Sequence, residues 1–300
     1  MTDVLVAAML TQAVVVGWIG VVRLTRSVRH TSLTTAAAWA TWFQATLTVT
    51  TIATIAKSRV PPGVLDQLWY LTAVSALCPF VAVLGARRGR LLEWSGFIVL
   101  PLIIVLEWPA LAQVVRCWNG QRLDLEMPTQ LGYAVVLVMG TGNFLGTRFT
   151  WPVIAFTCGW AAVVFQSHSS IENSWMRRDP AFFVSVTQFC FWRWAYRLAN
   201  QQNTVASGWQ RLCLDFRDGF GVVWSTRLTG RINEVAQREQ WPWILTDNGL
   251  KPISNESQPA CDPEADPRVN HTFRWLLKPF VDPEWIDERL TASKDRALGD

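Results

Sequence analysis

The run VLVAAMLTQAVVVGWIGVV (Val4–Val22) carries no charge, and RLTRSVR (Arg23–Arg29) follows it with three arginines. A helix rises about 1.5 Å per residue, so about 20 apolar residues span the hydrocarbon core of a bilayer. The residues ahead of the run are MTD, acidic and without a basic side chain, whereas a secretory signal begins with a positive region. With the arginines behind it, the run reads as an uncleaved anchor whose N-terminus lies outside.

Further apolar runs follow at Leu33–Ala56, Val64–Gly85, Gly96–Val115, Thr129–Thr147 and Trp151–Ser167. None alternates polar with apolar residues as a membrane barrel strand does. A seventh stretch, AFFVSVTQFCFWRWA (Ala181–Ala195), is shorter and contains Arg193. It either crosses with Arg193 reaching the far interface or lies flat on the surface. Tryptophans such as Trp18, Trp69, Trp94, Trp108, Trp118 and Trp151 sit near run ends, where an indole is apolar in body and polar at its N–H.

Charge separates the chain into two parts. Up to Arg197 there are 15 Lys or Arg and 8 Asp or Glu, grouped between the runs; from Leu198 there are 12 and 15, evenly spread. Cytoplasmic loops carry the excess of basic residues. Arg23, Arg26 and Arg29 fill the first loop, Arg87, Arg88 and Arg90 the third, and Arg148 stands in the fifth. The fourth balances Arg116 and Arg122 against Asp124 and Glu126. Odd loops inside and even loops outside make seven crossings the self-consistent count, because a crossing at 181–195 returns the chain to the side where Arg193 and Arg197 continue the bias. The expected architecture is an all-α membrane protein of the inner membrane. Residues 1–197 form a bundle of about seven transmembrane helices, and residues 198–300 a small cytoplasmic helical or α+β domain.

In the polar part, Trp209, Leu212, Cys213, Phe216, Phe220, Val223, Leu228, Ile232 and Val235 recur at helical spacing within Thr204–Gln240. Gly219 and Gly221 interrupt this pattern and predict a bend or close contact. Trp241–Leu245 reads as a short strand, Asn248–Gly249 as a turn, Ser254–Arg268 as a loop, and Leu276–Leu290 as renewed structure broken at Pro283. Burying each large apolar side chain of the stripe contributes roughly 1.5–3 kcal/mol, so it needs a partner surface. Its polar face mixes Arg211 and Arg217 with Asp215 and Asp218, unlike the basic face of a lipid-lying helix. Packing against the later segments is therefore expected.

Six residues stand out as ligand or pathway candidates. Glu107 lies within an apolar run between Pro101 and Pro109; an ionisable group at membrane depth is costly, although the outer interface beside Trp108 would keep it wet. Asn143 sits in MGTGNFLG (Met139–Gly146), where Gly142 and Gly146 suggest a small-x-x-x-small packing face. Arg148 follows. In LDFRDGFG (Leu214–Gly221), Asp215 and Asp218 flank Arg217 and resemble carboxylate pairs that hold magnesium, while surface ion pairing explains them as well. No metal is expected: His168 faces away from His30 and His271 under this topology, and the six cysteines form no C-x-x-C pair. Asp262, Glu264 and Asp266 lack the glycine and closing glutamate of a calcium loop. Phosphate-loop, nucleophile-elbow and zinc-protease motifs are missing from the sequence, so no cofactor is expected.

Three function classes fit. One is a non-catalytic anchor or sensor, its partners being the lipid bilayer and a cytoplasmic protein bound by the tail. The second is a transporter working through Glu107 and the glycine stretch. The third is a lipid-modifying enzyme, which would gather Asp215, Arg217 and Asp218 with Arg87, Arg88 or Arg148. Nucleic acid is not an expected partner, because no basic face is concentrated on the slightly acidic tail.

Overall fold

A computed structural model describes residues 2–89, 91–165, 180–200, 208–246, 249–252 and 266–297. These residues are mostly helical with one small two-stranded sheet. The helices are α1 (Thr2–Ser27), α2 (Thr34–Ile55), α3 (Pro62–Leu84), α4 (Leu91–Trp94), α5 (Leu100–Leu111), α6 (Val114–Trp118), α7 (Met127–Gly142), α8 (Thr150–Phe165), α9 (Pro180–Asn200), α10 (Gly208–Arg238), α11 (Pro267–Leu277) and α12 (Pro283–Ala297). A π-helical turn over Ser95–Val99 joins α4 to α5. Strands β1 (Trp243–Thr246) and β2 (Gly249–Pro252) pair antiparallel, Trp243 opposite Pro252. The expected strand is therefore present; residue 248 of the expected turn, and most of 254–268, lie outside the described residues.

Among the described residues, two helices are long and apolar enough to cross a membrane, Val4–Ser27 and Pro62–Leu84, and Ser95–Leu111 and Thr150–Phe165 are shorter apolar helices. The buried stripe of α1 is Leu10, Ala13, Gly17 and Val21, one face at helical spacing. Its other faces show Val15, Ile19 and Val22 outward. The same holds along Ile52 on α2, Val105 on α5 and Val138 on α7, each more than half exposed. Close approaches come from glycines: a Cβ on Gly17 would strike Gln44, one on Gly20 would strike Trp192, and one on Gly159 would strike Thr187. Aromatic rings fill the centre, with Phe43 edge-on to Trp160 at 5.4 Å and Phe156 5.2 Å from Phe191.

Helices α10–α12 and the sheet form a second layer, and one apolar core runs through it into the bundle. Trp209, Phe216, Phe220 and Ile232 of α10 join Phe273 and Leu277 of α11, Trp285 and Ile286 of α12, and Leu33, Ala36, Val81 and Ala86 of the bundle. Phe216 stacks on Phe220 at 4.5 Å, and Phe280 meets both edge-on. The stripe on α10 is thus covered from two sides: by later segments, as expected, and by the bundle end.

The fifth run departs from expectation. It stops being helical at Gly142: the backbone tightens into turns over residues 143–149, and Gly146 takes φ +85°. A left-handed residue cannot continue an α-helix. Gly142 and Gly146 consequently form no packing face: a Cβ on either would meet nothing within 4 Å. The close approach belongs to Gly140, whose added Cβ would lie 3.0 Å from Phe80 Cβ.

Candidate functional site

The loops carrying His30, Arg88 and Asn143–Arg148 converge on the C-terminal layer. At the first, Ser32 N–H donates to Phe280 O at 2.7 Å and Asp282 N–H to His30 O at 2.8 Å, while Thr31 and Val281 form a β-bridge. At the third, Arg88 N–H donates to Pro279 O, and its guanidinium pairs with Asp282 at 2.6 Å. That pairing, more than His30 at 3.7 Å, holds the Asp282 carboxyl below the usual carboxylate range.

The fifth loop makes the most specific contact. Helix α10 is broken at Gly221, with φ 81° and ψ 177°. A break exposes backbone groups that the helix no longer pairs. Asn143 takes them: its side chain donates to Phe220 O at 3.1 Å and accepts from Val223 N–H at 3.0 Å, and its own carbonyl accepts from Val222 N–H at 2.7 Å. Glycine is required at the break twice over. The backbone is left-handed there, and a Cβ would run into the Asn143 amide. One turn earlier, Asp218 is 4% exposed and points at the same loop. It accepts from Arg148 N–H at 3.2 Å, and Arg148 Nε lies 2.9 Å from its other oxygen. This second contact is an ion pair by distance, since Nε lacks a directed hydrogen bond. Burial pushes the Asp218 carboxyl above its ordinary range, with Arg148 opposing.

Asn143, Arg148 and Asp218 are therefore brought together. Asp215 is not part of the group: it turns to α12 and pairs with Arg289 at 3.0 Å, whose guanidinium lies over the Trp285 ring. Asp215 and Asp218 serve different partners rather than one ion. Arg217 stands beside Asp218 with its Nε buried and without a hydrogen-bond partner. Arg88 is engaged with Asp282, so it does not join Arg148 at these carboxylates. Among the described residues, His30, Asp282 and Glu284 offer the one grouping with metal-ligand spacing, and Arg88 already occupies Asp282.

Glu107 lies elsewhere, inside the bundle. It is 7% exposed whereas the adjacent Trp108 is 68% exposed, so the carboxyl faces α3 and the indole faces out. It is within electrostatic range of Tyr70 and Cys78, and its Oε1 has no partner. Around it Tyr70 donates to Leu106 O at 2.7 Å and Gln67 to Ala110 O at 2.8 Å.

Sequence reasoning missed Gly221 as the partner of Asn143, although both lay in the glycine-bearing motifs already noted. It also missed Gln44 and Gln188, whose signal was an amide within an apolar run.

No family model, curated protein or solved structure matches the chain.

Proposed function

We propose that this is a non-catalytic, multi-pass inner-membrane protein. Seven segments cross, the N-terminus lies outside, and the C-terminal layer is cytoplasmic, senses the state of the bundle and binds a protein partner. The carrying observation is that the layer is fastened to the first, third and fifth loops together, through Ser32, Arg88, Asn143 and Arg148. These are the loops whose arginines mark the cytoplasmic side. The outward apolar faces on α1, α2, α5 and α7 support the multi-pass reading for helices of any length. In water such faces would be a liability.

The bilayer is the first partner in this reading. A movement of α7 or α8 would be transmitted through Asn143 to the break in α10 and onward to the layer. Reporter fusions after Glu126 should read external, and fusions after Arg197 cytoplasmic; a cytoplasmic signal at Glu126 would overturn the topology. In Asn143→Leu, hydrogen exchange across α10 should rise, because two backbone groups lose their partners at about 1–3 kcal/mol each. Unchanged exchange would remove the coupling.

One observation favours a transporter as the second reading: the buried Glu107 with an unpartnered oxygen. Buried carboxyls within a bundle serve as proton or cation sites. Proton flux into proteoliposomes that disappears in Glu107→Gln would favour that reading over the sensor.

A further inference from the structure

Two of the least exposed side chains in the bundle are glutamines. Gln44 on α2 is 0% exposed, and Gln188 on α9 is 1% exposed. Gln44 Nε2 donates to Val14 O at 3.1 Å, which leaves Oε1 without a partner. Among the described residues neither amide atom of Gln188 has one, and the buried Nε1 of Trp192 is in the same condition. Buried polar groups are otherwise almost always hydrogen-bonded, so four orphaned atoms in one region call for a reason.

They share a region because of how α1 and α9 run. The Arg23 guanidinium lies 4.5 Å from the Tyr196 ring centroid, and Gly20 lies directly against Trp192. Three residues back along α1 correspond to four back along α9, so the helices are parallel. A further turn back brings Gln188 to the level of Gly17. Gln44 already sits there, its unpartnered Oε1 being the atom nearest to a Cβ built on Gly17. The two glycines let the side chains of Gln44 and Trp192 lie directly against the α1 backbone.

We propose that Gln44, Gln188 and Trp192, around Gly17, form a binding site for a neutral molecule bearing a hydroxyl or carboxamide group. The unmet atoms are two acceptors (Gln44 Oε1, Gln188 Oε1) and two donors (Gln188 Nε2, Trp192 Nε1), which complements a group able both to give and to receive hydrogen bonds. An ion is a poor fit. Val4–Val22 and Thr34–Ile55 contain no ionisable side chain, Arg193 is exposed, and Arg23 is engaged by Tyr196 further along. A buried charge needs a counter-charge that this site does not offer. The inference does not depend on the proposed sensing role.

Native mass spectrometry of the full chain released from detergent tests it. The wild-type protein should retain a neutral adduct that Gln188→Leu loses, and its mass tells a membrane lipid from a small solute. Gln188→Leu should also melt below wild type, since it forfeits the bound molecule. If that variant does not purify, Gln44→Leu on α2 carries the same comparison. The site is overturned if wild type retains no adduct, if the variant keeps it equally, or if Gln188→Leu melts higher. The last outcome would mean that the amide is buried in an empty place and is merely costly there.

Discussion

The bundle and the C-terminal layer bury the same kind of residue and differ in the balance of what they turn outward. Bundle helices show Ile52, Val105 and Val138 outside, whereas the layer shows ion pairs such as Arg231–Glu234, Arg268–Asp266 and Arg274–Asp287. Their buried polar groups differ too. In the layer, Asn233 satisfies both the N–H and the carbonyl of Leu245, and Asp215 meets Arg289. In the bundle, Gln188, Thr51 and Glu107 have atoms without partners. Where polar groups are matched, one docking geometry is specified; where they are unmatched, burial is costly. The join between the regions combines both: Asn143 is paired on side chain and backbone, whereas Arg148 Nε and Arg217 Nε beside Asp218 are buried without a hydrogen-bond partner among the described residues.

The strongest way to break this contrast is at the join. Gly221→Val should separate the layer from the fifth loop, because it combines a left-handed φ with a collision against Asn143. Positive φ costs a non-glycine residue about 1–2 kcal/mol and overpacking about 1–3. A fall in melting midpoint with new protease cuts in α10 is the expected result, and wild-type resistance would refute the fit.

A smaller effect sharpens the bundle side. Gly140→Leu should destabilise by about 1–3 kcal/mol against Phe80, while Gly142→Leu should stay within about 0.5 kcal/mol of wild type because it opens onto free space. Equal losses in thermal stability would restore the small-x-x-x-small reading.

The smallest effect is a pair of opposed pH slopes at the join. Arg88 lowers the Asp282 pKa, so that contribution is present above the ordinary carboxylate range and is lost as pH falls. Burial raises that of Asp218 despite Arg148 and Arg217, so its contribution is present at low pH and is lost as pH rises through the raised value. Melting midpoints followed between about pH 3 and 6 should lose the first slope in Asp282→Asn and the second in Asp218→Asn. Identical profiles for the two variants would contradict these environments.

Much of the layer was legible in one dimension. The stripe from Trp209 to Ile232 recurs at helical spacing, Pro283 begins a helix as a proline can, and the short strand expected at Trp241–Leu245 is found at Trp243–Thr246. The glycine stretch misled because spacing alone does not distinguish a packing face from a turn. Gly142 and Gly146 are four apart in either case, and only the positive φ at Gly146 decides between them. Glu107 was ambiguous for a related reason. Its depth along the run was readable, but the direction it faces depends on how α5 is rotated against α3.

By itself, the sequence determined the helical runs, the arginine-bearing loops and the polar character of the last hundred residues. Each of these follows from local composition and period, which need no partner to be expressed. Only the packing of whole elements brings Asn143 to Gly221, Asp218 to Arg148 rather than Asp215, and Gln44 to Gly17 and Trp192 to Gly20 across α1. The partners in each contact lie on different segments of the chain. Their meeting is set by how whole helices pack, through side-chain shapes that no short stretch of sequence contains.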